Sequence, residues 1–267
     1  MTQLFKGQEE QGSIELTLKD GDRFVVVGDA QIPFQDDALL ESIFNDFVPR
    51  YKPTDKRNSY QLFLAGDIMD NFSLSKFPSR ITPQFGINEE VELTKTYLTK
   101  WKKNFTDCHY IFGNHEDRWD REMYDGKMAQ YIKPLKDVLE LDKLGYDYVP
   151  YLRHYNVNGF VITHGDLIRE NTAKAMLDTY SASGCSGHVN RPHDYTRADA
   201  RDGVPNTWTV LGMTCRTDIG NYIKVWRRIQ PWMQGFGIGE ICNGKVYFEN
   251  VRVHHGSYRA AGRMFHV

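Results

Sequence analysis

Five short apolar runs, each ending in a turn that carries an Asp or a His, constrain the fold of this chain more than any other feature. With their turns they occupy residues 24–29, 62–67, 111–118, 160–166 and 185–188. Short runs rich in β-branched and aromatic residues are typical of buried parallel strands. Because the carboxyl ends of parallel strands meet at one edge of an α/β sheet, the five turns are expected to converge although they are far apart in the chain.

The segments between these runs predict helices. Leu40, Ile43, Phe44 and Phe47 recur at helical spacing, so residues 36–48 are expected to form an amphipathic helix. Other helices are predicted from a cap at Asn88 to about residue 105 and over residues 117–124, 127–143 and 171–180. Strands are predicted over residues 23–27, 60–65, 108–112 and 160–163, with a short strand or turn over 183–187. This alternation implies right-handed βαβ units and a parallel sheet.

The remaining stretches predict loops and a C-terminal hairpin. Residues 1–20 are expected to be an extended or loosely ordered lead-in, residues 71–87 a loop beside the site, and residues 192–205 a mobile loop. Asn243-Gly244, between the runs 234–241 and 245–253, predicts a type I′ β-hairpin. Since no internal repeat or domain boundary is evident, the 267 residues are expected to form one domain with a motif-bearing core over about residues 23–254.

Composition excludes several classes of protein. The hydrophobic and charged fractions, 40% and 25%, are ordinary for a soluble globular protein. A formal net charge of -2 provides no global basic field for nucleic acid. Arginines do concentrate in one third of the chain, at Arg197, Arg201, Arg216, Arg227 and Arg228. The four cysteines lack zinc-finger spacing, the N-terminus lacks a secretion signal, and no apolar run approaches the ~18 residues of a membrane span. A soluble cytoplasmic protein with reduced thiols and no membrane partner is therefore expected.

The polar residues of the five turns form a mixed set of potential metal ligands. The set combines carboxylates, amide oxygens and imidazoles: Asp29, Gln31, Asp67, Asp70, Asn114, His115, His164, His188 and Asn190. Such a mixture suits divalent ions of intermediate hardness, such as Mn²⁺, Fe²⁺ or Zn²⁺. Two ions about 3.5–4 Å apart are the arrangement expected for in-line displacement at phosphorus. Each residue alone has an ordinary explanation as a turn, cap or structural residue, but the ordered set favours ligation.

The order of these motifs resembles the calcineurin-like metallophosphoesterase family. The motifs are Asp29-x-Gln31, Gly66-Asp67-x-x-Asp70, Gly113-Asn114-His115-Glu116, His164 and Gly187-His188-x-Asn190. They span roughly residues 24–190, and the resemblance is greatest to small phosphoesterases encoded by bacteriophages, where an Asp-x-Gln-Ile-Pro opening is familiar. The resemblance implies an α/β fold, a metallophosphoesterase-type βαβαβ sandwich with central mixed sheets, flanking helices and a C-terminal β hairpin. A phage protein of this kind would act in the host cytoplasm.

The resemblance also implies two metal sites. Asp67 would bridge two divalent ions and Asp29 would anchor the first. The second site would be completed by three residues that match the family: Asn114, His164 and His188. Gln31 and Asn190 stand where the family usually has histidines. The first site is therefore expected to be harder and weaker, favouring Mn²⁺ or Mg²⁺ over Zn²⁺.

A catalytic pair and a substrate contact are implied in the same way. His115 would protonate the leaving oxygen, and Asp70 would hold the other ring nitrogen of this imidazole. A metal-activated hydroxide would attack phosphorus, and Arg118 is expected to bind a non-bridging phosphate oxygen. Glu116 is interpreted as a cap of the helix that follows.

The expected reaction is hydrolysis of a phosphodiester, with DNA, RNA or a nucleotide as substrate. The phage-like resemblance and the arginines between residues 191 and 228 favour this choice. One alternative is a phosphomonoesterase that acts on a protein or a small molecule. Another is a catalytically inactive binding scaffold on the same fold, which Gln31 and Asn190 favour because they weaken one metal site. The Asp70–His115 pair favours catalysis, since a scaffold has no use for a leaving-group acid.

Overall fold

Two mixed β-sheets form the centre of the molecule. The structure, a computed structural model, describes residues 13–75, 85–125, 133–198, 203–218 and 231–267. Within these ranges the strands, numbered in chain order, are β1 Ile14–Leu16, β2 Arg23–Val27, β3 Tyr60–Ala65, β4 Asp107–Ile111, β5 Tyr146–Val149, β6 His154–Val157, β7 Phe160–Thr163, β8 Gly184–Ser186, β9 His193–Ala198, β10 Pro205–Val210, β11 Gly235–Cys242, β12 Lys245–His254, β13 Ser257–Ala260 and β14 Arg263–His266.

Helices pack against the outer faces of both sheets. The α-helices in the described ranges are α1 Asp37–Glu41, α2 Val48–Tyr51, α3 Ile87–Lys102, α4 Asn114–Asp125, α5 Leu135–Val138, α6 Leu141–Leu144 and α7 Thr172–Tyr180. A π-helical segment, Ser42–Phe47, joins α1 to α2, and a short 3₁₀ turn, Phe72–Leu74, follows the loop after β3. Asp36 caps α1 by accepting a hydrogen bond from the Leu39 amide.

The sheet topology brings the strand ends that precede the turns to one side of the molecule. The eight-stranded sheet has the order β14-β13-β12-β11-β2-β3-β4-β5, and the six-stranded sheet has the order β1-β6-β7-β8-β10-β9 among the described residues. Strands β2 to β5 pair in parallel, as do β7 and β8. The carboxyl ends of β2, β3 and β4 therefore lie beside one another, and those of β7 and β8 do the same.

Alternation along the central strands builds a core on each side of the eight-stranded sheet. Phe24 and Phe63 point toward the six-stranded sheet and meet edge to face at 5.6 Å between ring centroids. Val25 and Leu62 point the other way, toward the helices. Phe44 from the π-helical segment stacks there on Trp101 of α3, at 4.9 Å. Burying side chains of this size contributes roughly 1.5–3 kcal/mol each, which holds the sandwich together around the strands that carry the turns.

The predicted fold class is confirmed: an α/β sandwich with mixed central sheets, flanking helices and a C-terminal hairpin. Strands 23–27, 60–65 and 160–163 have the predicted bounds, and residues 184–186 form the short fifth strand. The hairpin of β11 and β12 turns at Asn243-Gly244, where both residues have positive φ as a type I′ turn requires.

Several predicted bounds are wrong. Helix α4 begins at Asn114 rather than at residue 117, so Asn114 and His115 lie in the first helical turn. Helix α3 begins after Gly86 rather than after a cap at Asn88, because Glu89 reaches back to the Gly86 amide at 2.7 Å. The predicted helix over 127–143 is instead two short helices, α5 and α6, within its described part, and Gly126 lies outside the described residues.

Two edge strands lie in segments where no strand was specifically predicted. Residues 193–198 within the expected mobile loop form β9, which pairs antiparallel with β10, a strand that the sequence reading missed. Residues 14–16 of the expected lead-in form β1, which pairs in parallel with β6. Both strands lie at sheet edges, where one face and one backbone edge stay accessible to water and the apolar signal is weak. Much of the predicted 71–87 loop lies outside the described residues. Within the described ranges, no helix combines the length and the apolar composition needed to span a membrane.

Candidate metal and catalytic site

The five turns converge, and three of them contain polar residues with left-handed backbone conformations. Six polar residues in these turns and the adjoining loop have left-handed conformations: Asp29 (φ 52°), Gln31 (48°), Asp67 (51°), Asn71 (52°), His188 (72°) and Asn190 (56°). Such conformations are uncommon outside glycine and each costs of order 1–3 kcal/mol when the residue is not suited to it. Their concentration at one place marks this end of the sandwich as a candidate functional site.

Two glycines allow the turns to approach this closely. A Cβ on Gly66, whose φ is +82°, would lie 2.5 Å from Nδ1 of His164. A Cβ on Gly113 would lie 2.2 Å from Oδ1 of Asp67 and 2.5 Å from the Asp67 amide nitrogen. Both glycines are therefore required by the close packing of the β3, β4 and β7 turns.

One group of three side chains has the arrangement of a metal site. Ligand atoms of Asp67, His164 and His188 all lie within 4.8 Å of one another. Nδ1 of His164 is 2.8 Å from the Ala65 carbonyl oxygen, which fixes the ring and directs Nε2 toward Oδ1 of Asn114 at 3.1 Å and Oδ1 of Asp67 at 3.4 Å. A backbone carbonyl on one imidazole nitrogen is the usual support of a histidine that ligates a metal through the other.

The two histidines respond differently to the same surroundings. Burial opposes protonation of His164, but Asp67, Asp29 and the Ala65 carbonyl oxygen together outweigh it and raise the pKa of His164 to about 10. Burial and the neighbouring His164 lower the pKa of His188 to about 4. A neutral His188 has a free lone pair, and its buried Nδ1 has no hydrogen-bond partner in the described structure. His188 is thus available as a ligand without first losing a proton.

The two aspartates are buried carboxyl groups whose pKa values shift in opposite directions. Burial raises the pKa of Asp29 to about 7, and the nearby Asp67 carboxylate adds to this effect. Burial also acts on Asp67, but His115 and His164 outweigh it and hold the pKa of Asp67 far below its usual range. One Asp29 oxygen accepts the His188 amide at 3.1 Å, while Oδ1 is buried without a partner among the described residues. A cation beside both carboxylates would satisfy this unpaired oxygen.

Gln31 and Asn190, the amide residues predicted for the first site, lie in the loops that carry Asp29 and His188. The Gln31 amide donates to the Asp67 carbonyl oxygen at 2.9 Å, which holds the two turns together. Asn190 is 4% exposed, and its Oδ1 has no partner within the described ranges. Asp29 lies outside the three-residue group formed by Asp67, His164 and His188. Sequence reasoning missed Cys215, whose buried thiol lies 3.8 Å from Oε1 of Gln31.

His115 and Asp70 form the predicted pair. Nδ1 of His115 lies 2.5 Å from Oδ1 of Asp70, and Nε2 lies 3.6 Å from Oδ2 of Asp67. Burial opposes protonation, but the Asp67 and Asp70 carboxylates raise the pKa of His115. The imidazole can therefore hold a proton on Nε2, on the side where the metal-ligand group lies, while Asp70 fixes the ring from behind.

Arg118 is hydrogen-bonded to Asp70. Its Nη1 donates to the Asp70 carbonyl oxygen at 2.8 Å and lies 3.5 Å from Oδ1 of Asp70. The side chain is 14% exposed. Arg118 thus stabilises the position of Asp70, and its contact with a phosphate oxygen stays a prediction.

Glu116 does more than the helix cap that the sequence suggested. Its buried carboxylate accepts hydrogen bonds from the amides of Asp67 (2.9 Å), Ile68 (2.8 Å), Met69 (3.0 Å) and Gly113 (2.8 Å) and from the Tyr110 hydroxyl (2.7 Å). Five donors on one carboxylate compensate the cost of burying it. Glu116 thereby ties the turn after β3 to the turn after β4. The only sequence signal for this role was its place in the Gly-Asn-His-Glu motif.

The residues present fit a divalent metal centre. Buried oxygen and nitrogen atoms of Asp29, His188 and Asn190 lack partners within the described part of the chain, and buried polar groups normally have them. The donors are carboxylates, amides and imidazoles, which suit Mn²⁺, Fe²⁺ or Zn²⁺.

The chain is similar to a known protein family, to two phage proteins and to a solved structure. A family model described as calcineurin-like phosphoesterase matches residues 22–208. The chain is similar to the Gene 54 protein of Mycobacterium phage D29, with 24% identity over 92% of this chain and 99% of that protein. It is also similar to the Gene 54 protein of Mycobacterium phage L5, with 23% identity over the same shares. Among solved structures it is similar to "Structure of Vacuolar Protein Sorting 29 from Cryptosporidium Parvum", with 12% identity, 93% of this chain and 100% of that chain covered, and a TM-score of 0.48.

Proposed function

Since this chain belongs to the calcineurin-like phosphoesterase family, we propose that it hydrolyses phosphodiester bonds in a nucleic acid or a nucleotide. The family implies metal-dependent hydrolysis of phosphoesters, and the diester is the finer part of the proposal. The observation that carries the proposal is the Asp70–His115 contact of 2.5 Å beside the Asp67, His164 and His188 group. A leaving-group acid next to a metal site is the combination that hydrolysis at phosphorus needs.

The metal ligands divide into two sets that share Asp67. Asn114, His164 and His188 would hold one ion with it, and Asp29, Gln31 and Asn190 would hold the other. Bound divalent ions, of which Mn²⁺ is our first choice, supply Lewis acidity and positive charge for the reaction. The set of Asp29, Gln31 and Asn190, which forms the first site, lacks imidazoles and should bind its ion more weakly.

The remaining roles belong to the chain's own residues. His115 would donate a proton from Nε2 to the leaving oxygen, since its Nδ1 faces Asp70. Asp70 would keep the ring oriented and stabilise its protonated form. Arg118, bonded through Nη1 to the Asp70 carbonyl oxygen, would keep this carboxylate in place and could offer its other nitrogens to a phosphate oxygen.

The charge near the catalytic pair supports a diester over a monoester. A phosphomonoester carries about -1.5 to -2 charge at neutral pH, whereas a diester carries one negative charge. Arg118 is partly occupied by Asp70, so less of its positive charge is available for a dianion. The arginines first considered for a nucleic-acid contact add less support: Arg197 and Arg216 pair with Asp178 and Asp218, and Arg201, Arg227 and Arg228 lie outside the described residues.

The test is hydrolysis of bis(para-nitrophenyl) phosphate and para-nitrophenyl phosphate by chelated protein to which Mn²⁺, Mg²⁺ or Zn²⁺ is restored one at a time. We expect activity to return with Mn²⁺ and the diester to react faster. Faster release from the monoester would favour a phosphomonoesterase. Folded protein that turns over neither compound with any of the metals would contradict catalysis and favour a binding scaffold on the same fold.

The phage relatives support a cellular location for the reaction. Two proteins of mycobacteriophages are similar over nearly their full length. We accordingly place the activity in the cytoplasm of an infected bacterial host, where DNA, RNA and nucleotides are available as substrates.

A further inference from the structure

Glu90 is a buried carboxylate that no sequence motif includes. It lies on α3 and is 2% exposed. Within the described ranges no lysine or arginine pairs with it, and burial together with the nearby Asp70 raises the pKa of Glu90 to about 7. Burying an acidic group without a cationic partner costs free energy that an apolar residue would avoid. Its contacts indicate what it does there.

The contacts of Glu90 are with the loop that carries Asp70. We call residues 66–72, between β3 and the 3₁₀ turn, the β3 loop. The Glu90 carboxylate accepts a hydrogen bond from the Phe72 amide at 3.3 Å and a second backbone hydrogen bond from Asn71. Both amides directly follow Asp70 in the chain, so Glu90 fixes the backbone at the point where the Asp70 side chain leaves it.

Asn71 extends this connection to His115. Its backbone is left-handed with φ of 52°, and its side-chain Nδ2 donates to the His115 carbonyl oxygen at 2.9 Å. The side chain of Asn71 therefore holds the backbone of the acid, while its own amide is held by Glu90. Asp70 contacts the imidazole of the same histidine at 2.5 Å. Glu90 therefore binds the backbone of Asn71, whose side chain contacts the His115 carbonyl oxygen and whose preceding residue, Asp70, contacts the His115 ring.

Two buried glutamates hold different halves of the β3 loop. Glu116 accepts the amides of Asp67, Ile68 and Met69, the half that carries the metal-bridging candidate. Glu90 accepts the amides of Asn71 and Phe72, the half that carries Asp70. The two carboxylates come from different helices, α3 and α4, so each half can be released by a separate substitution.

We propose that Glu90 is a positioning residue for the Asp70–His115 pair, acting through the backbone of the β3 loop and not through the metal ligands. This inference rests on the proposed function, in which His115 protonates the leaving oxygen. Removing Glu90 should therefore weaken protonation of the leaving group while leaving metal binding intact. Removing Glu116 should instead weaken metal binding more than protonation of the leaving group.

The experiment measures two properties in four variants. Glu90→Leu removes the acceptor at similar volume, and Glu90→Gln keeps an oxygen that can accept the same amides. Glu116→Gln is the contrast, and Glu92→Gln, on the exposed side of α3, is the matched control. Calorimetry gives the Mn²⁺ affinity, and steady-state kinetics give kcat and KM for diesters with a good aryl and a poor alkyl leaving group.

For Glu90→Leu we expect kcat to fall roughly tenfold or more on the poor leaving group and to change about twofold or less on the good one, because only the former needs the acid. KM and Mn²⁺ affinity should stay unchanged. Glu90→Gln should restore most of the lost rate, and Glu116→Gln should lower Mn²⁺ affinity. Equal loss of rate on both leaving groups, or reduced Mn²⁺ affinity in Glu90→Leu, would overturn the proposal.

Two further measurements keep the proposal testable if a variant or the activity fails. If Glu90→Leu does not fold, Asn71→Gly suits the left-handed backbone and removes the bond to His115. It should then show the same loss on the poor leaving group, and wild-type selectivity would overturn the proposal.

If the wild type turns over no ester, the proposed function fails, and amide hydrogen exchange decides the positioning claim. Glu90→Gln should leave the amides of residues 70–72 protected and Glu90→Leu should expose them; unchanged protection in a folded Glu90→Leu would refute it.

Discussion

His115 lies between two carboxylates, and each contact assigns one ring nitrogen. Asp70 is on Nδ1 at 2.5 Å, and Asp67 is 3.6 Å from Nε2. The nitrogen that faces the metal-ligand group is therefore the one that can reach a substrate oxygen. A residue held in this way can be removed without removing any of the candidate ligands.

His115→Ala should abolish turnover of diesters with poor leaving groups and spare those with good ones. General acids contribute about 10²–10⁴ in rate where the leaving oxygen needs a proton. The measurement is kcat for an alkyl and a para-nitrophenyl diester, with Mn²⁺ affinity measured on the same sample as the control. Full activity of the variant on the alkyl ester would remove the acid role.

The two amide residues of the first site allow a gain of affinity to be tested. Gln31→His should tighten the weaker Mn²⁺ site and shift preference toward Zn²⁺, because imidazole is a better ligand for these ions than a neutral amide oxygen. Asp67→Asn is the contrast, since Asp67 is proposed to be shared by both sets and its loss should weaken both sites. Calorimetric titration of the chelated proteins measures both effects. An unchanged isotherm for Gln31→His would mean that this position does not face a metal.

At the scale of elements, the site depends on loops that touch one another through glycines. The turn after β4 passes so close to the turn after β3 that a Cβ on Gly113 would overlap Asp67. Glu116 then joins the same two turns through their amides. Steric closeness and hydrogen bonding therefore fix the same distance, the one between Asp67 and Asn114.

Gly113→Ala should separate these turns. A Cβ placed 2.2 Å from Oδ1 of Asp67 and 2.5 Å from its backbone nitrogen forces a shift, and overpacking of this kind costs about 1–3 kcal/mol. We expect a lower free energy of unfolding and weaker Mn²⁺ binding, measured by urea denaturation and calorimetry. Gly86→Ala is the control, because its Cβ would meet nothing closer than 3.8 Å. Wild-type Mn²⁺ affinity in Gly113→Ala would show that the turns have room to move.

The helix that starts at Asn114 shows where local sequence signals fail. The run Gly113-Asn114-His115-Glu116 suggested a turn, but helical backbone begins at Asn114. In this first turn the His115 amide donates to Oδ1 of Asp67 at 2.9 Å. That partner is distant in the sequence, so propensity alone could not reveal it.

For the whole molecule, burial of His109 between the two sheets makes stability depend on pH. The ring stacks on Phe63 at 4.6 Å between centroids, and its Nε2 lies 3.1 Å from Oε1 of Gln61. Burial lowers the pKa of His109 to about 4, while Asp147 and Asp107 oppose this only in part. The folded protein therefore keeps this histidine neutral at pH values where the unfolded chain protonates it.

The sign of the pH dependence follows from this difference. Between the unfolded pKa near 6.5 and the folded pKa near 4, the unfolded state binds more protons, so the free energy of unfolding should fall as pH falls. The slope from one such group is at most about 1.4 kcal/mol per pH unit. Urea denaturation at several pH values measures it, with His109→Phe as the variant that keeps the stacked ring. Identical pH profiles for the two proteins would contradict a neutral buried His109.

Local sequence patterns are sufficient to predict the strands that end in turns and the polar residues those turns carry. These features are local: apolar runs of a given length and glycine before Asp or Asn have physical meanings within a few residues. Parallel pairing then makes convergence of the turns a consequence of topology. For this reason the α/β sandwich and the meeting of Asp67, Asn114, His164 and His188 could be anticipated from the amino-acid sequence.

The groups that hold these turns in place depend on contacts that exist only in the folded protein. Glu116 and Glu90 meet amides of the β3 loop 49 and 18 residues away in the chain, and Arg118 reaches Asp70 instead of open solvent. The edge strands β1 and β9 likewise depend on partners elsewhere. A glutamate on an amphipathic helix has the same local signature whether it faces water or a buried loop. Its role is fixed by the amide groups that the folded chain brings to it, because a buried carboxylate is stable only where such donors exist.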